Sequence, residues 1–172
     1  MKDKLTQMHS RESTCGLFGH TLEEYREQYG DDLRLMQNYQ IELYKLIDVQ
    51  IEIGMRNFVS LLQPGAALWM AEYVLSQRNA IPSLGLQLHV LYTGPATHPK
   101  DDSLAKKIKH CADSATPIHS HRVFNQFRTL MERSSRMLVV ERSCDADVLC
   151  SYAERAGIKV LRYAMTDLVS RE

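Results

Sequence analysis

The sequence is short of almost everything that would assign it to a specialised class. Eight glycines and five prolines in 172 residues exclude collagen-like and low-complexity chains. Neither sign of charge is in excess: 21 Lys and Arg stand against 21 Asp and Glu. A balanced chain has no global positive field for phosphate backbones, so general nucleic-acid binding is not expected. No apolar run reaches membrane-spanning length, and no basic, apolar and small-residue leader opens the chain. A cytoplasmic protein without membrane attachment is the expectation. The four cysteines, Cys15, Cys111, Cys144 and Cys150, have neither CxxC nor zinc-ligand spacing and read as free thiols.

What is present is a 44% hydrophobic, 24% charged composition, enough for one compact domain with a true core. Residues 1–12 (MKDKLTQMHSRE) have no repeating apolar face and read as a loosely ordered lead-in. Residues 13–172 read as a single domain, uninterrupted by linker or repeat. Short apolar runs begin near Cys15, Phe58, Leu86, Met137 and Ile158, with a weaker strand over Thr116–His121 that Pro117 keeps from a central place. Helical periodicity lies between them. Leu35, Met36, Tyr39, Leu43, Leu46 and Ile47 make one stripe that Gly54 ends. A second helix carries Leu68, Ala71, Val74 and Leu75, with Pro64 placed in its first turn. Others cover Ser103–Cys111, Val123–Glu132 and Asp145–Ala156, the last closed by Gly157. Such alternation predicts a mainly parallel sheet with helices on both faces, a three-layer α/β sandwich.

In an open parallel sheet, ligands bind beyond the carboxyl ends of the strands where strand order reverses. That rule nominates Gly19-His20-Thr21, Gln63-Pro64-Gly65, Thr93-Gly94-Pro95 and Glu141-Arg142-Ser143. Neither GxGxxG nor GxxxxGK[ST] occurs, so no dinucleotide or triphosphate fingerprint is present. Gly65 suits close helix packing or a phosphate. His20 suits a hydrogen-bonded turn or a proton donor to a ligand. Trp69 and Glu72 share a helix face where a ring and a carboxylate could meet a base or ribose, although core packing also explains Trp69. His119 and His121 would share a strand face, but no third metal ligand is evident and no metal is expected. Lys106, Lys107 and Lys109 form a basic helix run of the kind usually solvated. No nucleophilic triad or paired-carboxylate motif stands out.

Three segments together resemble the YpsA-like branch of the bacterial SLOG superfamily, which also holds the LOG phosphoribohydrolases and the DprA/Smf proteins. CGLFGHTLEEY is similar to the branch's opening around a TGHRP motif. NFVSLLQPGAALWMAEYVL is similar to a FISGMALGVDLWAAEIVL type of stretch, with Phe58, Ser60, Gly65, Leu68, Trp69, Ala71, Glu72, Val74 and Leu75 in matching places. The closing part, from Met131 through RSSRMLVVE to SYAERAGIKVLR, looks like the family's last strand, helix and strand. The resemblance spans roughly Cys15 to Asp167 and implies a Rossmann-like fold. It implies a nucleotide or ribose-phosphate ligand, for which the matched segments and the strand-end rule together offer Gly19, His20, Ser60, Gly65, Trp69, Glu72, Thr93, Gly94 and Ser143 as candidate contacts. No cofactor follows with certainty.

The departures fall on the ligand side. Thr21 and Leu22 stand where the family places arginine and proline, Leu61 where it places glycine, and Ala67 where it places aspartate. Cys144-Asp145-Ala146 replaces a Gly-Gly-Thr turn, and the arginine and glutamate of the LOG PGGxGTxxE pattern have no counterpart. A leucine adds bulk where backbone must approach a phosphate, and a lost arginine removes a bidentate clamp. The resemblance therefore implies a noncatalytic domain whose nucleotide-derived ligand site is altered or lost. A LOG-like N-glycosidic hydrolase and a protein-interaction scaffold are the alternatives. Homo-oligomerisation through helix faces is also implied, with Ile41 and Tyr44 lying off the main stripe of their helix.

Overall fold

The computed structural model describes residues 12–93, 99–141 and 146–169. In chain order the elements are β1 (Thr14–Gly19), α1 (Leu22–Tyr29), α2 (Leu33–Glu52), β2 (Asn57–Leu61) and α3 (Ala66–Ala80). A single 3-10 turn (Pro82–Leu84) leads to β3 (Gln87–Tyr92), α4 (Pro99–Cys111), β4 (Ser114–Pro117) and α5 (Val123–Glu132). The chain continues with β5 (Arg136–Glu141), α6 (Ala146–Arg155), β6 (Lys159–Ala164) and α7 (Met165–Leu168).

All six strands pair in parallel, in the order β4-β3-β2-β1-β5-β6. Parallel strands are wound with right-handed crossovers, so outward and return progressions lay their helices on opposite faces. Alternate side chains of the central strands serve those two layers. Cys15, Leu17, Phe58, Leu88, Val90, Leu138 and Val140 pack with α2, α3 and α4. Val59, Leu61, Leu91, Met137 and Val139 pack with Phe127, Leu130 and Met131 of α5 and with Leu149, Cys150 and Ala153 of α6. The result is the three-layer Rossmann-like sandwich that the alternation of elements predicts.

Four details differ from the sequence reading. Residues 114–117 form β4, so the expected strand over Thr116–His121 starts earlier and stops at Pro117, leaving His119 and His121 beyond its end. Pro117 is tolerated because β4 is an edge strand that needs no outward donor. Pro64 precedes α3 rather than entering its first turn, and Gly65 is the N-cap. α1 and α7 are additional helices. α1 buries only Tyr25, too little for an apolar stripe, and is set by a capping box: Thr21 Oγ1 accepts from the Glu24 N–H at 3.1 Å and Glu24 Oε2 accepts from the Thr21 N–H at 2.7 Å. Of the expected lead-in, residues 1–11 lie outside the described residues; the Glu12 carbonyl accepts a 2.8 Å hydrogen bond from Ser135 Oγ.

Candidate functional site

Strand order reverses between β1 and β5, whose neighbours then run outward in opposite directions. At this point the carboxyl ends meet in register, with Gly19 of β1 opposite Val140 of β5. β2 lies on the other side of β1. Gly19, His20, Ser60 and Gly65 thus converge at one edge of the sheet, and the contacts between them are internal.

The turn after β1 and the start of α3 are joined by backbone. The His20 carbonyl accepts the Ala66 N–H at 3.1 Å, and the Pro64 carbonyl accepts the Leu22 N–H at 3.0 Å. Gly65 has φ 133°, and a Cβ there would press into the His20 carbonyl oxygen and come within 2.8 Å of the Leu22 nitrogen. Glycine is required because two backbone segments cross at that atom. Gly19 is similarly confined, since a Cβ would lie 2.6 Å from that of Ala66. Ser60 is fully buried, and its hydroxyl is within reach of the Leu61 and Ala67 carbonyls at 3.0 and 3.2 Å, fastening β2 to the first turn of α3.

His20 is buried and both ring nitrogens are engaged. Nδ1 lies 2.9 Å from the Thr21 carbonyl and Nε2 lies 2.6 Å from the Tyr39 hydroxyl. A carbonyl only accepts, so Nδ1 carries the proton and Nε2 accepts from Tyr39. Burial holds the imidazole below its ordinary pKa, against smaller opposing effects of the Thr21 carbonyl and the Glu24 carboxylate. The ring sits among Tyr25, Tyr39 and Trp69, with centroid separations of 6.1, 5.6 and 6.2 Å. Trp69 therefore belongs to a buried aromatic group. Glu72, one turn along α3, is half-buried and stands near Tyr44, whose phenol is held above its ordinary pKa first by burial and second by that carboxylate.

Thr93 is half-buried beyond β3 and is separated from β1 by the width of β2. It does not join the group around His20. Gly94 and Ser143 lie outside the described residues, as do Arg142, Cys144 and Asp145. Lys109 places its ammonium 3.8 Å from the centre of the Tyr92 ring, while Lys106 and Lys107 are exposed. His119 and His121 are exposed as well. Among the described residues no group of three His, Cys, Asp or Glu side chains could hold a metal ion, and no helix is long and apolar enough to cross a membrane.

Two groups at this edge are visible only in the fold, and a third, already nominated from the sequence, gains its partners there. Tyr39 is one, reached across 19 residues of sequence. Tyr25 is another: it is fully buried, and its hydroxyl has no hydrogen-bond partner. The third is Glu141, the last residue of β5. Its Oε1 pairs with Nε of Arg162 on β6, whose Nη1 pairs in turn with Asp147 on α6. The other carboxylate oxygen, Oε2, is buried without a hydrogen-bond partner among the described residues. Val139 lies opposite Arg162, so Glu141 is the diagonal neighbour of Arg162 on the same face, within reach of two long side chains. No protein-family model matches the chain, and no curated protein matches it.

Proposed function

We propose that this chain is a noncatalytic Rossmann-like domain of the YpsA-like, SLOG type, in which a site for a nucleotide-derived small molecule has been partly filled by the protein's own groups. The ligand class follows from the fold, whose binding edge is the carboxyl end of the sheet at the β1–β5 reversal, and from the three resembling segments. The observation that carries the loss is His20. Its two nitrogens are spent on Thr21 and Tyr39, so the imidazole has neither a free donor nor a free acceptor for a ligand or a reaction.

The replaced residues support the same reading. Thr21, in the place of the family's arginine, caps α1. Leu61, in the place of a glycine, is buried against the α5 and α6 layer. Ala67, in the place of an aspartate, is buried and offers its carbonyl to Ser60. Each missing charge-assisted contact is worth roughly 1.5–3 kcal/mol, so losing two weakens binding by about a hundredfold or more. Calorimetric titration with ADP-ribose, AMP and NAD tests this. Weak binding or none is expected, and submicromolar affinity abolished by His20→Ala would refute the filled-site reading.

A role as an interaction scaffold has its own observation. Val123 and Phe124 at the start of α5 and Val148 and Tyr152 on α6 are exposed, and the Phe124 and Tyr152 rings touch at 5.3 Å. The expected homo-oligomer draws on α2, where Leu33, Ile41 and Val49 are exposed, as is Ile53 at its C-cap. Tyr44 does not contribute, because it stacks on Tyr73 at 4.4 Å. A monomer mass by light scattering at tens of micromolar would count against self-association.

A further inference from the structure

The two outer strands of the sheet are finished differently. β4 is four residues long and carries Pro117, whose ring nitrogen has no hydrogen to offer outward. β6 runs for six residues without a proline, in unbroken register with β5 from Lys159 opposite Arg136 to Ala164 opposite Glu141. None of its residues is buried, whereas four of the six in β5 are. We propose that β6 is the docking edge for a second copy of this chain, whose own β6 pairs with it antiparallel about a two-fold axis at Leu161. The proposal gives the expected homo-oligomer a defined surface, away from the exposed side of α2, and is independent of the nucleotide reading.

The backbone carries the argument. In a parallel pair, alternate residues of a strand turn both N–H and C=O to the neighbour. The Lys159 N–H donates to the Ser135 carbonyl at 3.3 Å, so Lys159, Leu161 and Tyr163 face β5. Residues 158, 160, 162 and 164 then face outward. The two at the ends are satisfied within the chain: the Ile158 N–H goes to the Ala153 carbonyl at 3.0 Å, and the Ala164 N–H to Asp167 Oδ2 at 2.9 Å. Between them, the outward N–H groups of Val160 and Arg162 have no partner among the described residues. They stand symmetrically about Leu161 and so match their own two-fold image. Val160 falls opposite the partner's Arg162, and Arg162 opposite the partner's Val160, each pair exchanging both of its hydrogen bonds.

The side chains agree with this register. Leu161 lies opposite Leu138 and shares its face, that of α2, α3 and α4. At the axis it meets the partner's Leu161 in a non-hydrogen-bonded pair, where Cα atoms approach to about 4.5 Å. On the same face Lys159 is exposed and falls opposite the partner's Tyr163, a half-buried aromatic residue that suits a cation. On the other face Val160 meets the aliphatic stem of the partner's Arg162. A charged side chain is a common guard of a bare edge, but Arg162 is drawn back onto its own sheet by Glu141 and Asp147. A two-fold pairing consumes both copies of β6, and Pro117 keeps β4 from serving as a second growing edge, so assembly closes at two copies.

The test is sedimentation velocity and amide hydrogen exchange of the full chain over a dilution series. A dimer at tens of micromolar is expected, dissociating on dilution as a small interface does, with the Val160 and Arg162 amides protected only while the chain is dimeric. Val160→Pro removes an outward donor and no bond to β5, and should weaken the dimer about tenfold or more. Ile41→Lys on α2 should leave it unchanged. The wild-type exchange data need no variant, so they stand even if the proline unfolds the chain. A dimer whose protection falls on α2, with Val160 and Arg162 exchanging freely at every concentration, would overturn the role of β6 and keep the homo-oligomer. A monomer throughout would overturn both without touching the nucleotide reading. Equal protection of the two amides in the monomer would show this edge closed within one chain, and would overturn the proposal as well.

Discussion

The tautomer assigned to His20 makes the stability of the domain depend on pH in a defined direction. Burial lowers the imidazole pKa in the folded chain, whereas the unfolded chain keeps the ordinary value of 6.5. Below pH 6.5 the unfolded state binds the proton first, so folding is opposed as pH falls. The stabilisation is complete above 6.5 and is lost progressively on going down towards the folded pKa. Its ceiling is about 1.4 kcal/mol per pH unit, or about 2 kcal/mol between pH 6.5 and 5.0. His89 is also held low, chiefly by burial, and adds a slope of the same sign. The useful quantity is thus the difference between wild type and His20→Gln in urea unfolding at a series of pH values. Wild type should lose more stability than the variant over that interval. Tyr39→Phe should cost about 1–3 kcal/mol at pH 7.5, because it leaves a buried acceptor at Nε2 without a donor. It should also flatten the slope, because the hydroxyl that competes with the incoming proton is gone. Identical slopes for wild type and His20→Gln, or a proton found on Nε2 by imidazole nitrogen spectroscopy, would refute the assignment.

Two further outcomes follow from the packing. Gly65→Ala should destabilise the domain by about 3 kcal/mol or more, because alanine at φ 133° is strained and its Cβ meets the His20 carbonyl; thermal melting near the wild-type temperature would show that the β1–α3 crossing is looser than described. Burial pushes the Cys15 thiol up to about 12, against a lowering effect of Arg136, so peptide mapping after treatment with a thiol reagent at neutral pH should find the exposed Cys111 labelled and Cys15 untouched until denaturant is added.

The layers were legible because buried parallel strands are apolar on both faces and stand out as short runs between amphipathic helices. The strands expected near Cys15, Phe58, Met137 and Ile158 begin within a residue or so of those positions. α1 escaped because LEEYREQY carries almost no apolar signal, yet Thr21 and Glu24, three apart, were a readable capping box. The edge strand β4 was displaced because its residues alternate only weakly between half-buried and exposed. At the site, sequence placed His20 at a strand end but held no sign of Tyr39 as its partner, since that contact depends on how α2 lies over the turn. Glu141 was visible in its loop. Its orphaned oxygen was not, because the Arg162 pairing comes from the β5–β6 register rather than from spacing along the chain.

A Rossmann-like edge binds anions through donors that the fold itself leaves unmatched, above all the first N–H groups of a helix and a nearby cation. Here the Ala66 N–H goes to the His20 carbonyl, the Leu22 N–H to the Pro64 carbonyl and the Thr21 N–H to Glu24. Such bonds are present whether or not a ligand arrives, so they stabilise the empty domain and leave little to be gained from an anion. A ligand raises stability only by its preference for the folded state over the unfolded one. At the β1–α3 crossing that preference has been removed by prior satisfaction of the donors. The crossing itself is therefore finished by the protein's own groups, whereas the buried Tyr25 hydroxyl and Glu141 Oε2 have no hydrogen-bond partner among the described residues.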